Sequence, residues 1–434
     1  MKQENIYYEV TPRILRADRK ATVRIRPLFD HCRFDDKAEY VVAYYPSEEF
    51  ALRSGWPAKA RMTLKPTRGV LRVPLYFEGE QEHVLLVERV AGEQRKQLGE
   101  FRLYSLEADL FARRPYKGDF HIHSCCSDGV ESPAYVAGAC RRIGMDFMAV
   151  TDHRRYAPSL EAQRAYSRLS VDLRIYPGEE VHPPDNPVHI VNFGGGFSLS
   201  EFFARKEKTY RREVKAIQQR LGPLPAGVDP YQYASCLWCF DRIREAGGLG
   251  VFCHPYWFTD RRYTPSGALT THLFATQPYD AFELIGGYEL HAVDSNTLQV
   301  ARYHDERAAG RRIPIVGASD AHGCEAAQFF GWYYTVVFSP STDLPDIIES
   351  VKGLHSVAVE VLPGAAARAY GPFRLVKYAL FLLREVFPQH DELCREEGRL
   401  MLAHLAGDRG AADMLSRLKG RAGTLLECFR ADKR

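Results

Sequence analysis

The chain has 434 residues, a length that predicts about two or three domains. Its residues are 45% hydrophobic and 26% charged, which is typical of a folded globular protein and excludes a disordered, collagenous or disulfide-scaffold chain. Lys and Arg total 58 and Asp and Glu total 55, so the formal net charge is +3. This charge gives no support to a nucleic-acid or membrane partner, and we expect neither.

The first residues lack the basic-then-apolar pattern of a signal peptide, and no stretch approaches the ~20 apolar residues that span a bilayer. The ten cysteines are spread over the whole length, which argues against a dense disulfide framework. Cys236 and Cys239 form a C-x-x-C in a helical-looking run, with no second pair downstream, so we interpret them as helix packing. We expect a cytoplasmic protein.

Residues 1–115 read as short strands rich in Val, Leu or Tyr and bounded by turn residues. Strands at this spacing, with no long helical period between them, favour an antiparallel sandwich. We therefore predict a β-sandwich-like domain over 1–115, with its clearest strands at 21–27, 39–45, 69–77 and 83–90.

From residue 116 short apolar strands alternate with helices, which is typical of an α/β fold with a parallel sheet or barrel. Strands are predicted at 119–122, 146–151, 173–176, 189–193, 250–253, 281–285, 313–317, 332–338 and 356–361. Helices are predicted at 132–142, where Ser132-Pro133 supplies a cap and a first-turn proline, and at 160–169, 199–221, 231–246, 293–309 and 344–352.

Residues 364–434 are rich in Ala, Leu and Arg at helical spacing, which predicts a helical extension packed on the barrel or on a partner subunit. A homo-oligomer is therefore one expectation. The long excursion at about 197–230 is predicted to be an insertion that caps the substrate pocket.

Six of the fifteen histidines lie at or just beyond the ends of the predicted barrel strands. The active site of a parallel barrel forms at the carboxyl ends of its strands, so these imidazoles are expected to meet. Along the first strand, alternation turns two of them to the same side, where they can bind one divalent ion. The six are His121, His123, His153, His189, His254 and His322.

Three acidic residues accompany them: Asp128 in a Ser-Asp-Gly turn, and Glu180 and Asp320 near strand ends. Imidazole and carboxylate donors suit Zn, Mn or Fe. One tetrahedral zinc takes about four donors, so this set predicts more than one divalent metal ion, and we expect three. A carboxylate is then needed to bridge neighbouring ions.

The ordered series His121-x-His123-Ser, Ser127-Asp128-Gly129, Thr151-Asp152-His153, Gly178-x-Glu180, His189, His254-Pro255 and Ser319-Asp320-x-His322 resembles the PHP (polymerase and histidinol phosphatase) family. The resemblance runs from about residue 117 to 362. It implies a distorted (β/α)7 barrel over 116–363 and a metal-dependent phosphoesterase or related hydrolase. With its upstream β domain, the chain is similar to the CehA/McbA branch, whose members also hydrolyse esters or carbamates.

The resemblance also implies how the donors divide among ions. One ion is held by His121, His123, Glu180 and Asp320, Glu180 bridges to a second held by His189 and His254, and a third lies among Asp128, His153 and His322. The family pattern Gly-x-Glu selects Glu180 over Glu179, and strand alternation allows only one of the two to face the site. His182 is a candidate substitute or neighbour of this set.

Clustered divalent ions lower the pKa of bound water and hold phosphate or carbonyl oxygens, so a metal-activated water is the expected nucleophile. Cys125 and Cys126 in the first loop are therefore interpreted as packing. Arg154 and Arg155 directly follow His153, and they are predicted either to contact a substrate phosphate or to form an exposed loop.

The leading hypothesis is a phosphoesterase acting on a small-molecule phosphoester or ester. A carboxylester or carbamate hydrolase using the same site is the first alternative, and a proofreading nuclease of the same family is another. An amidohydrolase barrel would need a bridging lysine where Gly178-Glu179-Glu180 stands. A catalytically inactive, metal-binding regulatory protein is the alternative of a different class, and the filled ligand positions argue against it.

Overall fold

The computed structural model describes residues 2–49, 58–92, 94–288, 292–325 and 329–430. The chain forms two compact units. Unit 1 comprises Met1–Arg114, Lys377–Leu393 and Gly420–Arg434, and unit 2 comprises Pro115–Val376 and Cys394–Lys419. The described part of the predicted helical extension, residues 364–430, is largely helical, and it contributes to both units.

Unit 1 begins with strands connected by short turns. Its amino-terminal elements are α1 (Gln3–Tyr7), β1 (Tyr8–Thr11), β2 (Ile14–Arg16), β3 (Arg19–Pro27), a 3-10 turn (Asp30–Cys32), β4 (Glu39–Pro46), β5 (Ala60–Leu64), β6 (Leu71–Phe77), β7 (Glu82–Ala91), β8 (Gln94–Leu106) and α2 (Ala108–Phe111). The four strands predicted most clearly correspond to β3, β4, β6 and β7.

The strands of unit 1 form a three-stranded sheet, β1-β3-β6, and a five-stranded sheet, β2-β8-β7-β4-β5. Alternating side chains such as Val23 and Ile25 of β3 share one apolar core with Leu85 and Phe101 of the larger sheet. The prediction of purely antiparallel pairing is wrong at one edge, because β2 runs parallel to β8. The chain passes from β1 to β2, and so into the other sheet, across only two residues.

Unit 2 alternates strands and helices. In chain order the elements from residue 114 onward are β9 (Arg114–Asp119), α3 (Pro133–Arg142), β10 (Phe147–Ala149), α4 (Ala157–Tyr166), β11 (Arg174–Tyr176), β12 (Gly178–Val181), β13 (Ile190–Phe193), α5 (Leu199–Gln218), α6 (Pro230–Glu245), β14 (Leu249–Phe252), β15 (Trp257–Thr259), β16 (Arg262–Thr264), α7 (Gly267–Thr276), β17 (Ala281–Ile285), α8 (Asp294–Ala308), β18 (Ile315–Gly317), β19 (Tyr333–Ser339), α9 (Leu344–Lys352), β20 (Ser356–Glu360) and β21 (Arg368–Tyr370). The carboxyl-terminal helices are α10 (Phe373–Glu385), α11 (Phe387–Leu405), α12 (Ala411–Leu418) and α13 (Arg421–Cys428).

The strands of unit 2 form a six-stranded sheet, β11-β10-β9-β19-β20-β21, a five-stranded sheet, β12-β13-β14-β17-β18, and the hairpin β15-β16. The parallel pairing predicted for this region holds for β9-β10-β11 and for β14-β17-β18. It is wrong for β12-β13-β14 and for β19-β20-β21, which pair antiparallel. The chain therefore has a mixed α/β fold, and the distorted (β/α)7 barrel stays a prediction.

The two larger sheets of unit 2 meet at the carboxyl ends of their parallel strands. Two isolated parallel bridges link them there, Ile122 to Ala321 and His153 to Glu180. Because β13 runs antiparallel to β14, the start of β13 lies at the same edge as the end of β14. This topology brings the predicted donor segments to one end of the unit.

Two local predictions about helices are confirmed. The Ser132 side chain accepts a hydrogen bond from Tyr135 N (3.3 Å) and Pro133 opens α3, as its sequence indicates. Cys236 and Cys239 are both buried in the apolar core around α6. Within the described ranges, the helices are too short or too polar to cross a membrane.

Candidate metal centre

His121 and His123 lie in the loop beyond β9, because this strand ends at Asp119 and not at residue 122 as predicted. The buried Asp119 carboxylate accepts hydrogen bonds from His121 N (3.2 Å) and Ser319 N (3.0 Å). Asp320 N donates to His121 O (2.8 Å), and His123 N donates to Ala321 O (2.9 Å). These bonds join the first and the last donor segments, and they position both imidazoles without a continuous strand.

Asp152 organises the loop that carries Asp128. Its buried carboxylate accepts from Ser124 N (2.7 Å), Ser124 Oγ (2.5 Å) and Ser127 Oγ (2.6 Å). These contacts bring the loop next to His153, which directly follows Asp152 in sequence. Asp152 is thus a structural residue of the site, a role that its place in the Thr-Asp-His motif did not reveal.

The adjacent glutamates Glu179 and Glu180 have different roles. The Glu179 carboxylate accepts from Ser198 Oγ (2.7 Å) and Leu199 N (2.6 Å), and so it stabilises the amino-terminal end of α5. Glu180 turns to the histidines and is 0% exposed. The alternation of β12 separates the two side chains as the sequence predicted.

Glu180 lies at the centre of the imidazoles. Its Oε1 is 2.8 Å from His189 Nδ1 and 3.4 Å from His254 Nε2. The ring nitrogens near Oε2 are His182 Nε2 (3.4 Å), His121 Nε2 (3.5 Å), His123 Nε2 (3.6 Å) and, closer, His153 Nδ1. Although buried, neither carboxylate oxygen makes a well-oriented hydrogen bond.

Two further carboxylates complete the cluster. Asp320 Oδ1 lies 2.8 Å from His123 Nε2 and 3.2 Å from His121 Nε2, whereas its Oδ2 is 3.9 Å from His254 Nε2. Asp128 lies at the outer side, 3.3 Å from His153 Nε2 and 3.4 Å from His322 Nε2. All nine predicted donors therefore belong to one connected cluster.

Several groups of residues in this cluster have ligand atoms that all lie within 4.8 Å of one another and could hold a metal ion. Among them are His123, Asp128, His153 and His322, then His121, His123 and Glu180, and also His121, His254 and Asp320. The donors are imidazole nitrogen and carboxylate oxygen atoms, which are ligand types that suit first-row divalent ions.

The electrostatics of the cluster keep its carboxylates ionised. Burial raises the pKa of Glu180 and of Asp320, but the neighbouring histidines lower each by more, so both values lie below the ordinary range. Burial lowers the pKa of His121, and Asp320 and Glu180 raise it by more. For His189 burial dominates and lowers the pKa to about 4. Metal binding requires ionised carboxylates and neutral imidazoles, so the two carboxylates are already in the required state, whereas His121 has to lose a proton when a metal binds.

Backbone strain also occurs at the donors. His254 and Asp320 have φ values of +24° and +50°, in a region that side-chain-bearing residues rarely adopt. Gly287 makes room for Asp320, since a Cβ at this glycine would lie 2.8 Å from Asp320 Oδ2. Such conformations persist where the surroundings impose them, and they are frequent at functional sites.

Glu283 belongs to the site but was not predicted. It lies in β17, all of whose residues are buried, and its Oε2 accepts a hydrogen bond from His121 Nδ1 (2.9 Å). This bond directs His121 Nε2 towards Glu180 and Asp320. A carboxylate in the middle of the apolar run Ala-Phe-Glu-Leu-Ile was the available signal. His182, predicted as a substitute or neighbour of the donor set, stacks on His189 with ring centroids 3.8 Å apart.

A pocket of about 430 Å³ opens onto the cluster. Its lining residues are Asp128, His153, His182, His189, His254, Trp257, Gly287, Tyr288, Asp320, His322 and Phe329. Arg154 and Arg155 are exposed and lie outside this lining, so their contact with a substrate phosphate stays a prediction.

The insertion at 197–230, which is fully described, contributes no lining residue to this pocket. The capping role predicted for it is therefore wrong in this structure. Its main helix, α5, instead buries Phe203, Tyr210 and Val214 in the apolar core that it shares with Trp238 of α6. Burial of this apolar face fixes the helix against its neighbour.

No protein-family model matches the chain. The DNA polymerase/3'-5' exonuclease PolX of Bacillus subtilis (strain 168) is 41% identical over 68 residues, which are 15% of this chain and 12% of PolX. The 5'-3' exoribonuclease Rnm of Escherichia coli (strain K12) is 26% identical over 108 residues, which are 24% of this chain and 37% of Rnm. The chain thus spans well under half the length of these curated relatives.

Among solved structures, a two-domain protein from Bacteroides vulgatus ATCC 8482 is described as containing a predicted PHP-like metal-dependent phosphoesterase. It is 16% identical, with a TM-score of 0.39, over 57% of this chain and 65% of that chain. The chain is similar to PHP-like metal-dependent phosphoesterases, as its motifs predict. The CehA/McbA branch stays a prediction.

Proposed function

We propose that this chain is a metal-dependent hydrolase and that its main activity is phosphoester hydrolysis on a small molecule. The observation that carries the proposal is the surroundings of Glu180. A fully buried carboxylate without a hydrogen bond on either oxygen is costly unless a cation compensates it. Six imidazoles direct ring nitrogens to the same place, and neutral imidazole is a metal ligand.

We assign three divalent ions, Zn, Mn or Fe, to this cluster. Glu180 would bridge two of them, because its Oε1 faces His189 and His254 whereas its Oε2 faces His121 and His123. The third is assigned to the outer group of Asp128, His153 and His322. When bound, such ions supply a water of lowered pKa and stabilise negative charge that develops on the substrate.

The protein's own residues orient the donors and select the substrate. Glu283 accepts the Nδ1 proton of His121, so that the Nε2 lone pair faces the site. The pocket volume of about 430 Å³ suits a small organic phosphoester, because small-molecule sites measure about 300–1,000 Å³. Arg154 and Arg155 are proposed to approach the substrate phosphate from the exposed loop after His153.

A second candidate function is cleavage of a phosphodiester at the end of a nucleic acid. It is favoured by the names of the two curated relatives, which are an exonuclease-containing polymerase and an exoribonuclease. The near-neutral charge of the chain, +3, gives it no further support. A carboxylester or carbamate hydrolase would use the same donors and the same pocket.

The test combines metal analysis with a substrate panel. Purified protein is analysed for bound metals and assayed on aryl monophosphates, aryl diphosphates, aryl esters and a short oligonucleotide. We expect bound divalent metal and hydrolysis of an aryl phosphate that chelation abolishes. Hydrolysis of the ester alone or of the oligonucleotide alone would favour the corresponding alternative. Bound metal without any hydrolysis would favour the inactive regulatory protein.

Three variants make this test specific. His121→Ala and Asp320→Ala are expected to lose turnover while remaining folded. The matched control is His304→Ala, which removes an exposed imidazole from α8. Wild-type turnover in either of the first two variants would remove that residue from the site, and equal loss in the control would make the effect nonspecific.

A further inference from the structure

The pocket wall next to the donor cluster is aromatic. Trp257, Tyr288 and Phe329 line the pocket together with the histidines and carboxylates. The Trp257 ring centroid lies 5.7 Å from that of His189 and 6.3 Å from that of His254. The gap between the indole ring and these two proposed metal ligands is therefore about the size of one small chemical group.

Trp257 is held in this position but is not buried there. It opens the hairpin β15-β16, and its backbone N donates to His254 O (3.0 Å), so the ring is tied to a donor residue. Ser295 of α8 anchors the base of the hairpin by donating from Oγ to Tyr256 O (2.9 Å). Even so, 41% of the Trp257 surface is exposed.

The other large aromatics of the hairpin do not share this role. Phe258 and Tyr263 are cross-strand partners, and their ring centroids are 5.4 Å apart. The cross-strand partner of Trp257 is the small Thr264. Because successive side chains of a strand point to opposite sides, Phe258 faces away from the side that Trp257 occupies. The hairpin thus presents one aromatic ring to the pocket.

We propose that Trp257 determines specificity by stacking on a planar aromatic group of the substrate, attached next to the ester or phosphoester bond. Covering an exposed indole at a pocket mouth with a flat apolar group is favourable, because both surfaces leave water. Aromatic pairs also prefer particular ring geometries. The substrate class is thereby narrowed to aryl or similarly planar esters and phosphoesters. This inference rests on the proposed function, because the proposed metal cluster defines where the scissile bond lies.

The test measures binding separately from hydrolysis. Phenylphosphonate and methylphosphonate carry the same charged group, and neither contains an ester bond. Isothermal titration of each into the metal-loaded protein should show a wild-type preference of about tenfold for the phenyl compound, since one aromatic stacking contact contributes roughly that much. Trp257→Ala should reduce this preference to near unity, whereas Trp257→Phe should retain most of it.

Phe258→Ala is the matched control, because it removes an exposed ring (58%) from the next position of the same hairpin. It should keep the wild-type preference, and thermal melting should show that every variant is folded. An unchanged phenyl preference in Trp257→Ala, or no preference in the wild type, would overturn the inference.

Phenyl phosphate then separates this inference from the proposed function. If the protein prefers to bind phenylphosphonate but does not hydrolyse phenyl phosphate, the proposed phosphoesterase activity is contradicted and the aromatic subsite is supported. If the protein hydrolyses phenyl phosphate but Trp257→Ala lowers the hydrolysis rates of phenyl and methyl phosphate equally, only the aromatic subsite is contradicted.

Discussion

Replacing Glu180 by Gln should remove more metal than replacing any outer donor. Each Glu180 oxygen faces a different set of imidazoles, with Oε1 2.8 Å from His189 Nδ1 and Oε2 3.5 Å from His121 Nε2. Asp128, by contrast, is near only His153 and His322. A neutral amide is a much poorer ligand than a carboxylate, so Glu180→Gln disturbs two proposed ions and Asp128→Asn disturbs one.

The expected stoichiometries follow from this geometry. With three proposed ions, two of which share Glu180, the wild type should carry about three ions, Asp128→Asn about two and Glu180→Gln about one. Each bound ion adds about 2.7 kcal/mol to the free energy of unfolding when its free concentration is about 100 times its Kd. Chelation should therefore destabilise the wild type most and Glu180→Gln least.

Elemental analysis after gel filtration measures the stoichiometry, and thermal melting with and without chelator measures the stabilisation. Glu179→Gln is the matched control, because this neighbouring carboxylate stabilises α5 and does not face the imidazoles. It should lower stability and leave the metal content unchanged. A full metal complement in Glu180→Gln, or equal losses in Glu180→Gln and Asp128→Asn, would refute the bridging role.

Three further predictions concern single side chains. Glu283→Leu should weaken metal affinity about 10- to 100-fold, measured with metal buffers, because it removes the acceptor that orients His121, and unchanged affinity would contradict this. Glu397 is 3% exposed and lies 2.8 Å from Arg141 Nη2. Arg141→Met leaves this buried carboxylate without its cation, so it should lower the free energy of unfolding, measured by denaturant titration, by about 3–5 kcal/mol. The double variant with Glu397→Met should recover part of that loss, and a purely additive loss would argue against the ion pair. Burial, followed by the nearby Lys59, lowers the pKa of His83 to about 4, so the unfolded chain binds more protons than the folded chain between pH 4 and 6.5. His83 should contribute about 3 kcal/mol to a rise in the free energy of unfolding across that window, and His83→Gln should remove this contribution from the measured slope.

Much of the local structure follows from sequence patterns. The helix predicted at 231–246 is α6 (Pro230–Glu245), and the strand predicted at 250–253 is β14 (Leu249–Phe252). These elements were predictable because proline, glycine and apolar periodicity act within a few residues. Most of the nine predicted donors were identified for a related reason, since they stand close to the end of an apolar strand in a short polar motif. Glu180, within β12, and Asp128, in a turn, were selected by their motifs alone.

Other features depend on contacts between distant segments. The antiparallel direction of β12 relative to β13, and of β19 relative to β20, is set by ladder hydrogen bonds, and a short apolar run has the same pattern in either direction. The insertion at 197–230 was predicted to cap the pocket because of its length, but the apolar face of α5 is buried against α6 instead. Neither outcome has a local signal.

The sequence alone determined which residues can bind metal, because side-chain chemistry and strand spacing are local properties. The tertiary structure decided how those residues are oriented. His121 and Glu283 are 162 residues apart, yet their hydrogen bond sets which imidazole nitrogen faces the site. Likewise, only the packing of the hairpin β15-β16 beside His254 turns Trp257 into a pocket wall. The direction of a lone pair or a ring face depends on the segments that fold around it, and these are remote in sequence.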